Sequence, residues 1–410
     1  MDEIFRYAVG IDVGTENVRA VVATVGKDGK LTVVGYNESK NSGMRKGIVA
    51  NLSGVAEAID RTLGEVERMS GYEINSATVS IGGAQLLTTR VEGMIAVGMP
   101  DHEIDVNDVE RVEQVAITGR IPANRDILDV VPLGYAIDGQ IGMKDVVGML
   151  GSRLEMRAGV ITALSPNCAN LKKACEIAKV DPSNLVPSVV AGANAVLTEK
   201  QKENGVAVVD FGGATTSVAI FEEGDLQYVG SVPVGSINVT NDLAIVLEVN
   251  TDVADEIKRR YVNAEFKDEK EVVLKIGREE MRFERNMIDE VVEARLGEIF
   301  EKIRRELKHA GFDRRLPEGI VLVGGGARMK GIESFAKKVL EASVKIGVPD
   351  GLSGVADSIK KPEYASAIGL MMLDASRIEN KVQKGKKSSN KKKDSSGNGG
   401  FLKNILKKFG

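Results

Sequence analysis

A chain of 410 residues with a net charge of −4, 43% hydrophobic side chains and 45 glycines has length for two or more domains and the composition of an α/β protein rich in tight turns. With seven Tyr, ten Phe and no Trp it offers few base-stacking platforms, which argues against nucleic acid as a partner. Cys168 and Cys175 form no CxxC motif and His102 and His309 lie far apart, so a disulfide framework, a His-based metal site and a catalytic triad are all disfavoured.

Residues 8–22, AVGIDVGTENVRAVV, read as two buried strands joined by a turn that carries Asp12, Gly14 and Thr15. Glycine lets backbone N–H groups approach an anion closely, and threonine adds a hydroxyl donor at the same place. An aspartate at the mouth of such a turn can hold Mg²⁺ through water. Arg19 on the second strand is either a counter-charge for phosphate or an outward-facing strand arginine. A second turn at residues 27–29 leads into a third strand. Val55, Ile59, Leu63 and Val66 at helical spacing predict a helix over 55–69 with one buried face. A core strand over 78–81 then ends at Gly82 and Gly83.

From about 84 to 162 the pattern becomes a compact α+β module. Strands are expected over 86–94, 127–131 and 154–162, around a charged helix that Asp105 can cap and that buries Val109, Val112 and Ala116. The run Asp101-His102-Glu103 reads as a solvated turn rather than a metal site. A helix over 167–178 returns to the first domain. Residues 189–197, VVAGANAVL, are small and apolar, suiting a helix packed closely at a hinge.

Residues 206–221, VAVVDFGGATTSVAIF, repeat the first motif: Asp210, Gly212, Gly213 and Thr215 between two apolar strands, followed by a second turn at 222–224. Two copies of one strand–turn–strand–turn–strand unit, half the chain apart, imply a duplicated domain whose Asp-bearing turns face each other across a cleft. Helices over 240–247 and 252–261, strands over 271–276 and 280–284, and a long charged helix over 285–308 follow. A third glycine cluster at 321–330, VLVGGGARMK, reads as strand, turn and helix. Residues 362–372, PEYASAIGLMM, are a second small-residue helix; two such helices crossing would let the halves shear.

Ten Lys and one Asp among residues 381–410 leave 45 basic against 58 acidic side chains in the rest, a basic tail on an acidic body whose partner must be anionic. Residues 379–400 carry almost nothing apolar and are expected to be a flexible linker. In a helix of about 100° per residue, Phe401, Leu402, Ile405, Leu406 and Phe409 fall on one face, and Lys403, Asn404, Lys407 and Lys408 on the other. Such a helix lies on an anionic membrane surface. No apolar run approaches the ~20 residues that span a bilayer and no signal peptide is evident, so the chain is expected in the cytoplasm, at the membrane's inner face.

Asp12-Val-Gly-Thr and Asp210-Phe-Gly-Gly-Ala-Thr-Thr resemble the two phosphate loops of the actin/Hsp70/sugar-kinase superfamily, and Gly324-Gly-Gly-Ala its adenosine loop. Gly43-Met-Arg-Lys-Gly-Ile-Val, Ser80-Ile-Gly-Gly, Gly148-Met-Leu-Gly-Ser-Arg-Leu-Glu and Val234-Gly-Ser-Ile-Asn-Val-Thr-Asn-Asp-Leu-Ala extend the resemblance to the FtsA family of bacterial cell-division actin homologues, over residues 5–375. The fold it implies is α/β: duplicated actin-like (ribonuclease H-like) ATPase domains around a nucleotide cleft, an inserted α+β subdomain of SHS2 type and a C-terminal amphipathic helix. The implied division is 1–83 with 163–186 (1A), 84–162 (1C), 187–225 with 301–378 (2A), 226–300 (2B), the linker 379–400 and the helix 401–410. The inserted module is implied to make contacts between protein molecules.

The resemblance also implies ATP with Mg²⁺. Asp12 and Asp210 would hold the metal; Gly14, Thr15, Gly212, Gly213 and Thr215 would supply donors; and Gly235 with Ser236 would form a second-domain phosphate turn. Gly325, Gly326 and Met329 would flank the adenosine. Glu256 and Lys258 match the ribose-contacting segment, or are an ordinary exposed pair. Ser217 stands where FtsA proteins usually have an acidic residue, Ala214 replaces a glycine, and Ser188-Val189 replaces a frequent Glu-Pro, leaving few general bases. No catalytic residue is assigned, and hydrolysis is expected to be slow or absent. The implied partners are the C-terminal tail of FtsZ, other copies of the chain in a filament, further division proteins and the anionic membrane. Arg295 and Arg304 on the long helix would meet the FtsZ tail, or are solvated helix-face charges. A pilus-assembly homologue of the PilM type and a sugar kinase are the alternatives; a kinase needs a catalytic carboxylate and a polar sugar pocket that the first domain does not display.

Overall fold

The computed structural model describes residues 6–388 apart from 27, 100, 266–270 and 277–278. The first half begins with β1 (Arg6–Val13), β2 (Asn17–Val25), β3 (Leu31–Lys40), α1 (Leu52–Ser70) and β4 (Ser76–Ile81). An insertion follows: β5 (Leu87–Ala96), α2 (Val106–Ile117), β6 (Arg125–Ile137), β7 (Gln140–Met143) and β8 (Arg153–Leu164). The chain then returns through α3 (Ser165–Ile177) and β9 (Asp181–Pro187) to α4 (Ser188–Val196). The second half holds β10 (Val206–Phe211), β11 (Thr216–Glu222), β12 (Asp225–Val232), α5 (Ser236–Val246) and α6 (Thr251–Tyr261). It continues with β13 (Glu271–Ile276), β14 (Glu279–Glu284), α7 (Arg285–Ala310), β15 (Ile320–Val323), α8 (Ile332–Leu340), β16 (Val344–Ile346) and α9 (Ala365–Ser388).

The two halves share one sheet plan. Strand order is β9-β4-β1-β2-β3 in the first, where the short strand Ser353–Gly354 from the second half adds parallel to β3, and β16-β15-β10-β11-β12 in the second. In each, the hairpins are antiparallel and the two remaining strands add in parallel on the far side. Parallel strands covered on both faces read as unbroken apolar runs, and β10 is buried at every position except Asp210. The residue that breaks the run is the one at the cleft.

α1 forms because Asn51 caps its first turn, accepting from the Gly54 N–H at 3.2 Å, and Gly71 ends it in the left-handed conformation. Its stripe of Val55, Ile59, Leu63 and Val66 is buried. In the insertion, Asp105 and Asp108 form a reciprocal capping box for α2, which packs on the sheet β5-β8-β6-β7. His102 joins this cap, with Nε2 at 3.0 Å from an Asp108 carboxylate oxygen. The Asp-His-Glu run is therefore partly a capping element, where the sequence suggested only a solvated turn.

α4 and α9 cross between the halves. A Cβ on Gly369 would overlap the Ala191 carbonyl, and the Ser366 hydroxyl donates to the Ser188 carbonyl at 3.1 Å. Small residues permit this approach, as the compositions of 189–197 and 362–372 suggest. Asp374 on α9 accepts from the Val9 N–H and the Thr78 hydroxyl, each at 3.0 Å, fastening the helix beneath β1 and β4. One expectation is corrected here. α9 continues to Ser388, ten residues into the segment read as flexible linker. Propagating a helix already nucleated on a packed stretch needs only one bond per residue, and Glu, Lys and Gln are good helix formers. The membrane-helix residues Phe401 to Phe409 lie outside the described residues.

Gly369→Ala is expected to lower stability by about 1–3 kcal/mol, because the added methyl must push α4 off α9. Denaturant unfolding measures it, and an unchanged midpoint would show that the crossing is looser than drawn.

Candidate nucleotide cleft

The two Asp-bearing turns have the same hydrogen-bond plan. In the first, the Gly14 N–H donates to the Asn17 carbonyl at 3.0 Å, and a Cβ on Gly14 would stand 2.8 Å from that oxygen. In the second, the Gly212 N–H donates to the Thr215 carbonyl at 3.1 Å, and a Cβ on Gly212 would stand 2.8 Å from it. Only glycine closes either turn without displacing backbone. The Ser80 hydroxyl accepts from Val13 N–H at 2.8 Å, and Asn41 donates to the Gly14 carbonyl at 2.9 Å, which fixes the first turn from β4 and from the end of β3.

The second turn is stitched to α5. Ser236 and Ile237 donate their N–H groups to the carbonyls of Gly212 and Gly213 at 2.9 and 2.8 Å, and the Gly235 N–H donates to Asn238 at 3.0 Å. Gly235 and Ser236 thus hold the loop in shape; their backbone N–H groups are not free for phosphate.

Thr15, Glu16, Gly47, Gly83, Gly213, Thr215 and Gly324 line one narrow cavity together with Asp12 and Asp210. Glu16 reaches across it: a Cβ on Gly213 would be 3.0 Å from Glu16 Cγ. A second cavity of about 370 Å³ continues past Arg19, Ser236, Lys258, Gly325, Gly326 and Met329. That volume is in the ordinary range for small-molecule pockets, about 300–1,000 Å³. Glu16, Asn17, Arg19, Gly325 and Glu363 line both. A larger cavity, about 860 Å³, opens between β5, β8 and the end of α7. Exposed Arg90, Arg157 and Glu92 stand on its wall, without paired turns, so it does not compete as the nucleotide site.

Two carboxylates are forced into this cleft. Burial raises the pKa of Asp12, with Arg19 and Ser80 opposing. Asp210 is pushed up to about 6 by burial and by the charge of Asp12, against a hydrogen bond from the Ser188 hydroxyl at 2.9 Å. A divalent cation between such oxygens relieves both effects, and hard oxygen donors suit Mg²⁺. Among the described residues no group of three or more His, Cys, Asp or Glu side chains could cage a metal. The donor set therefore fits a cation shared with a bound phosphate rather than a resident one.

Arg19 is mostly buried, 2.9 Å from Glu38 and with its guanidinium over the Tyr364 ring. It faces the cavity, which decides against an outward-facing strand arginine. Lys258 donates to the Thr240 hydroxyl at 2.6 Å and pairs with Asp255 at 2.9 Å on the cavity wall. Glu256 pairs along its helix with Arg260 at 2.7 Å and is not among the residues lining either cavity. The helical period explains the split, since positions two apart on α6 face different ways. Arg295 reaches from α7 to Asp242 on α5, with one bond at 3.0 Å, and also pairs with Glu298. Arg304 is largely buried between Glu341 and Asp313, so it ties α7 to the end of α8 and is not the solvated or partner-facing charge the sequence suggested. A long helix that serves two subdomains hides its last turns. Ser188 and Ser217 both line the phosphate end, the latter 3.0 Å from Ser231. Glu16 and Glu363 were missed: Glu16 adjoins Thr15 and adjacency could have found it, whereas no local signal marks Glu363.

The family model described as cell division protein FtsA matches residues 207–369, and that of the SHS2 domain inserted in FtsA matches 83–162. The chain is 36% identical to the FtsA of Pseudomonas aeruginosa over 372 residues, covering 90% of this chain and 89% of the relative. It is 33% identical to that of Borreliella burgdorferi, covering 96% and 98%. Among solved structures it resembles a PilM–PilN type IV pilus biogenesis complex, with a TM-score of 0.65, 16% identity and coverage of 90% and 98%. It also resembles MreB5 of Spiroplasma citri bound to ADP, with a TM-score of 0.55, 14% identity and coverage of 92% and 99%. These last two likenesses bear on the fold, which is actin-like.

A carboxyl with folded pKa above its unfolded value, about 3.9, holds the proton more tightly when folded, so stability falls as pH rises from about 4 to 6. Asp210→Asn should therefore stabilise the nucleotide-free protein by roughly 1–3 kcal/mol at pH 7.5 and by almost nothing at pH 4. Urea unfolding at the two pH values checks this; an equal effect at both would deny the burial of charge.

Proposed function

Because the chain belongs to the FtsA family of cell-division proteins, we propose that it is an ATP-binding, actin-like protein that assembles at the cytoplasmic face of the membrane and tethers the FtsZ ring to it. The observation that carries the nucleotide part is the pair of matched Asp–glycine turns meeting at one cleft. Thr15, Gly213 and Thr215 would meet the phosphates, while Gly14 and Gly212, whose N–H groups close the turns, shape them rather than donate; Asp12 and Asp210 would meet the Mg²⁺, and Gly325, Gly326 and Met329 the adenosine. Arg19 faces the phosphate end as a counter-charge. An MreB of the same fold is a nucleotide-bound protein by its description, which supports ATP-type binding. Bound Mg²⁺ would offset the negative charge of carboxylates and phosphates.

Hydrolysis is proposed to be slow. Asp12 and Asp210 are taken up by the cation, and Ser188 and Ser217 occupy wall positions where a carboxylate could activate water. ATP then acts as a conformational ligand that sets the closure of the halves about α4 and α9. The PilM likeness supports the fold alone, and the 31–36% identity to FtsA proteins favours the division role.

The FtsZ tail is proposed to dock on 226–300 beside α7. Arg295 is already neutralised by Asp242 and Glu298, so an acidic tail would bind by exchanging one of these pairs. Arg295→Gln is expected to weaken capture of an FtsZ tail peptide at least several-fold while the melting temperature holds; equal capture would remove Arg295 from the interface.

Membrane attachment is proposed for 401–410, with Phe401, Leu402, Ile405, Leu406 and Phe409 in the interface and Lys403, Lys407 and Lys408 toward anionic headgroups. Among the described residues no helix is long and apolar enough to cross a membrane. Lysines add about 1 kcal/mol each near an anionic leaflet, so single tails bind reversibly and filaments bind tightly. The expected result is that the protein forms filaments on an anionic lipid monolayer with ATP, and that Leu406→Glu abolishes sedimentation with anionic liposomes while ATP binding is kept. Continued sedimentation of that variant would place the contact elsewhere.

A further inference from the structure

The insertion sheet ends at β5, which pairs only with β8 among the described strands. Val91 packs with Val112 and Ala116 of α2. Successive side chains of a strand alternate faces, so Arg90 and Glu92 point away from α2. Yet Thr89, Arg90, Val91 and Glu92 all line one cavity, the groove of about 860 Å³ between the insertion and the end of α7. A space bounded by consecutive residues of a strand meets the strand's edge. That edge is closed at its start, where the Thr88 hydroxyl donates to the Val229 carbonyl of β12 and accepts the Val229 N–H, each at 2.8 Å. From Thr89 to Glu92 it joins no second ladder among the described residues. An open edge offers a row of backbone donors and acceptors to another chain.

Four arginines line the same groove, and Arg90, Arg120, Arg157 and Arg315 are all exposed. Arg19, Arg295 and Arg304 are held by acids, but none of these four forms a salt bridge among the described residues. Arg90 donates to the Ala310 carbonyl at 3.3 Å, and Arg315 to the Gly311 carbonyl at 3.2 Å with its guanidinium over the Phe312 ring. The negative end of α7 thus positions two guanidinium groups and leaves most of their donors unused. Of the acids on the wall, Glu223 is held by Lys144 at 3.1 Å, which leaves Glu92 and Glu222 against four arginines. This balance favours an anionic partner, and the chain's own Lys-rich tail has the wrong sign. An open strand edge selects an extended backbone, and guanidinium forks select carboxylates. We propose that the groove is a docking site for an extended, acidic segment of a partner protein, which adds as a strand to β5 at residues 89–92 and sets its carboxylates against the four arginines.

Fluorescence anisotropy of the labelled peptide Glu-Val-Glu-Val-Asp-Val-Glu with the full chain tests this, against Lys-Val-Lys-Val-Lys-Val-Lys as the opposite charge. The acidic peptide is expected to bind at least about tenfold more tightly, the range for hydrogen bonds to charged groups. Arg120→Glu combined with Arg157→Glu changes two side chains that make no bond among the described residues. It should weaken the acidic peptide by at least about tenfold while the melting temperature holds. If that variant does not fold, Arg120→Ala with Arg157→Ala supplies the same comparison. Of the two acidic peptides methylated on alternate backbone nitrogens, one should lose affinity to a similar degree, because only alternate N–H groups face a strand edge. An acidic peptide can also meet the lysines of the tail, so affinity that survives intact in the folded arginine variant is tail binding and overturns the proposal. Equal binding of both charge types, full affinity in both methylated peptides, or no binding by the parent up to about 1 mM overturns it as well.

Discussion

Two carboxylates meet in one narrow cleft. Asp12 ends a buried strand in the first half, Asp210 ends its counterpart in the second, and each raises the cost of charging the other. Neither is relieved by an arginine fork. Arg19 is near Asp12 but spends its best bond on Glu38, and Ser188 offers Asp210 only a neutral hydroxyl. A cation between the two carboxylates would offset this, and would take further oxygens from a ligand. The rest of the architecture brings them there: two sheets of one plan, and two turns closed by glycine that line the same gap.

The connection from cleft to whole molecule runs through α4 and α9. Ser188, which bonds Asp210, is the first residue of α4, and Ser366 on α9 bonds its carbonyl. Gly369 then lets α9 pack on the α4 backbone, while Asp374 fastens α9 beneath β1, the strand that carries Asp12. Asp210 is thus bonded directly to α4, and Asp12 is linked to α9 through the strand that carries it. Small side chains at the crossing allow sliding of packed elements in the manner of shear motions. A change of charge at the cleft has a short mechanical path to the relative setting of the halves.

Much of this was legible in the sequence because it rests on local rules. The Asp–x–Gly turns, the capped α1 and α2, and the small-residue helices each declare themselves within a dozen residues. The duplication, in particular, follows from two copies of one turn between apolar strands. What stayed hidden depends on distant partners. Nothing near Arg304 says that Glu341 and Asp313 will bury it, and nothing near Glu363 says that a glycine turn some forty residues earlier will hold it against the cavity. The α5 terminus shows the same limit: its sequence matches a phosphate turn, yet its N–H groups are taken by the neighbouring loop. The extension of α9 to Ser388 was missed because composition reports what a segment can bury, not the helix that feeds into it.

The most direct measurement is the affinity for ATP by calorimetry, with and without Mg²⁺, in the parent and in Asp210→Ala. If two opposed carboxylates clamp a metal–nucleotide pair, the parent binds Mg-ATP well, binds it far less well when Mg²⁺ is chelated, and loses that dependence together with at least tenfold in affinity on removal of Asp210. Mg-ATP affinity unchanged by the substitution would contradict the clamp, and with it the reason these two strands end as they do.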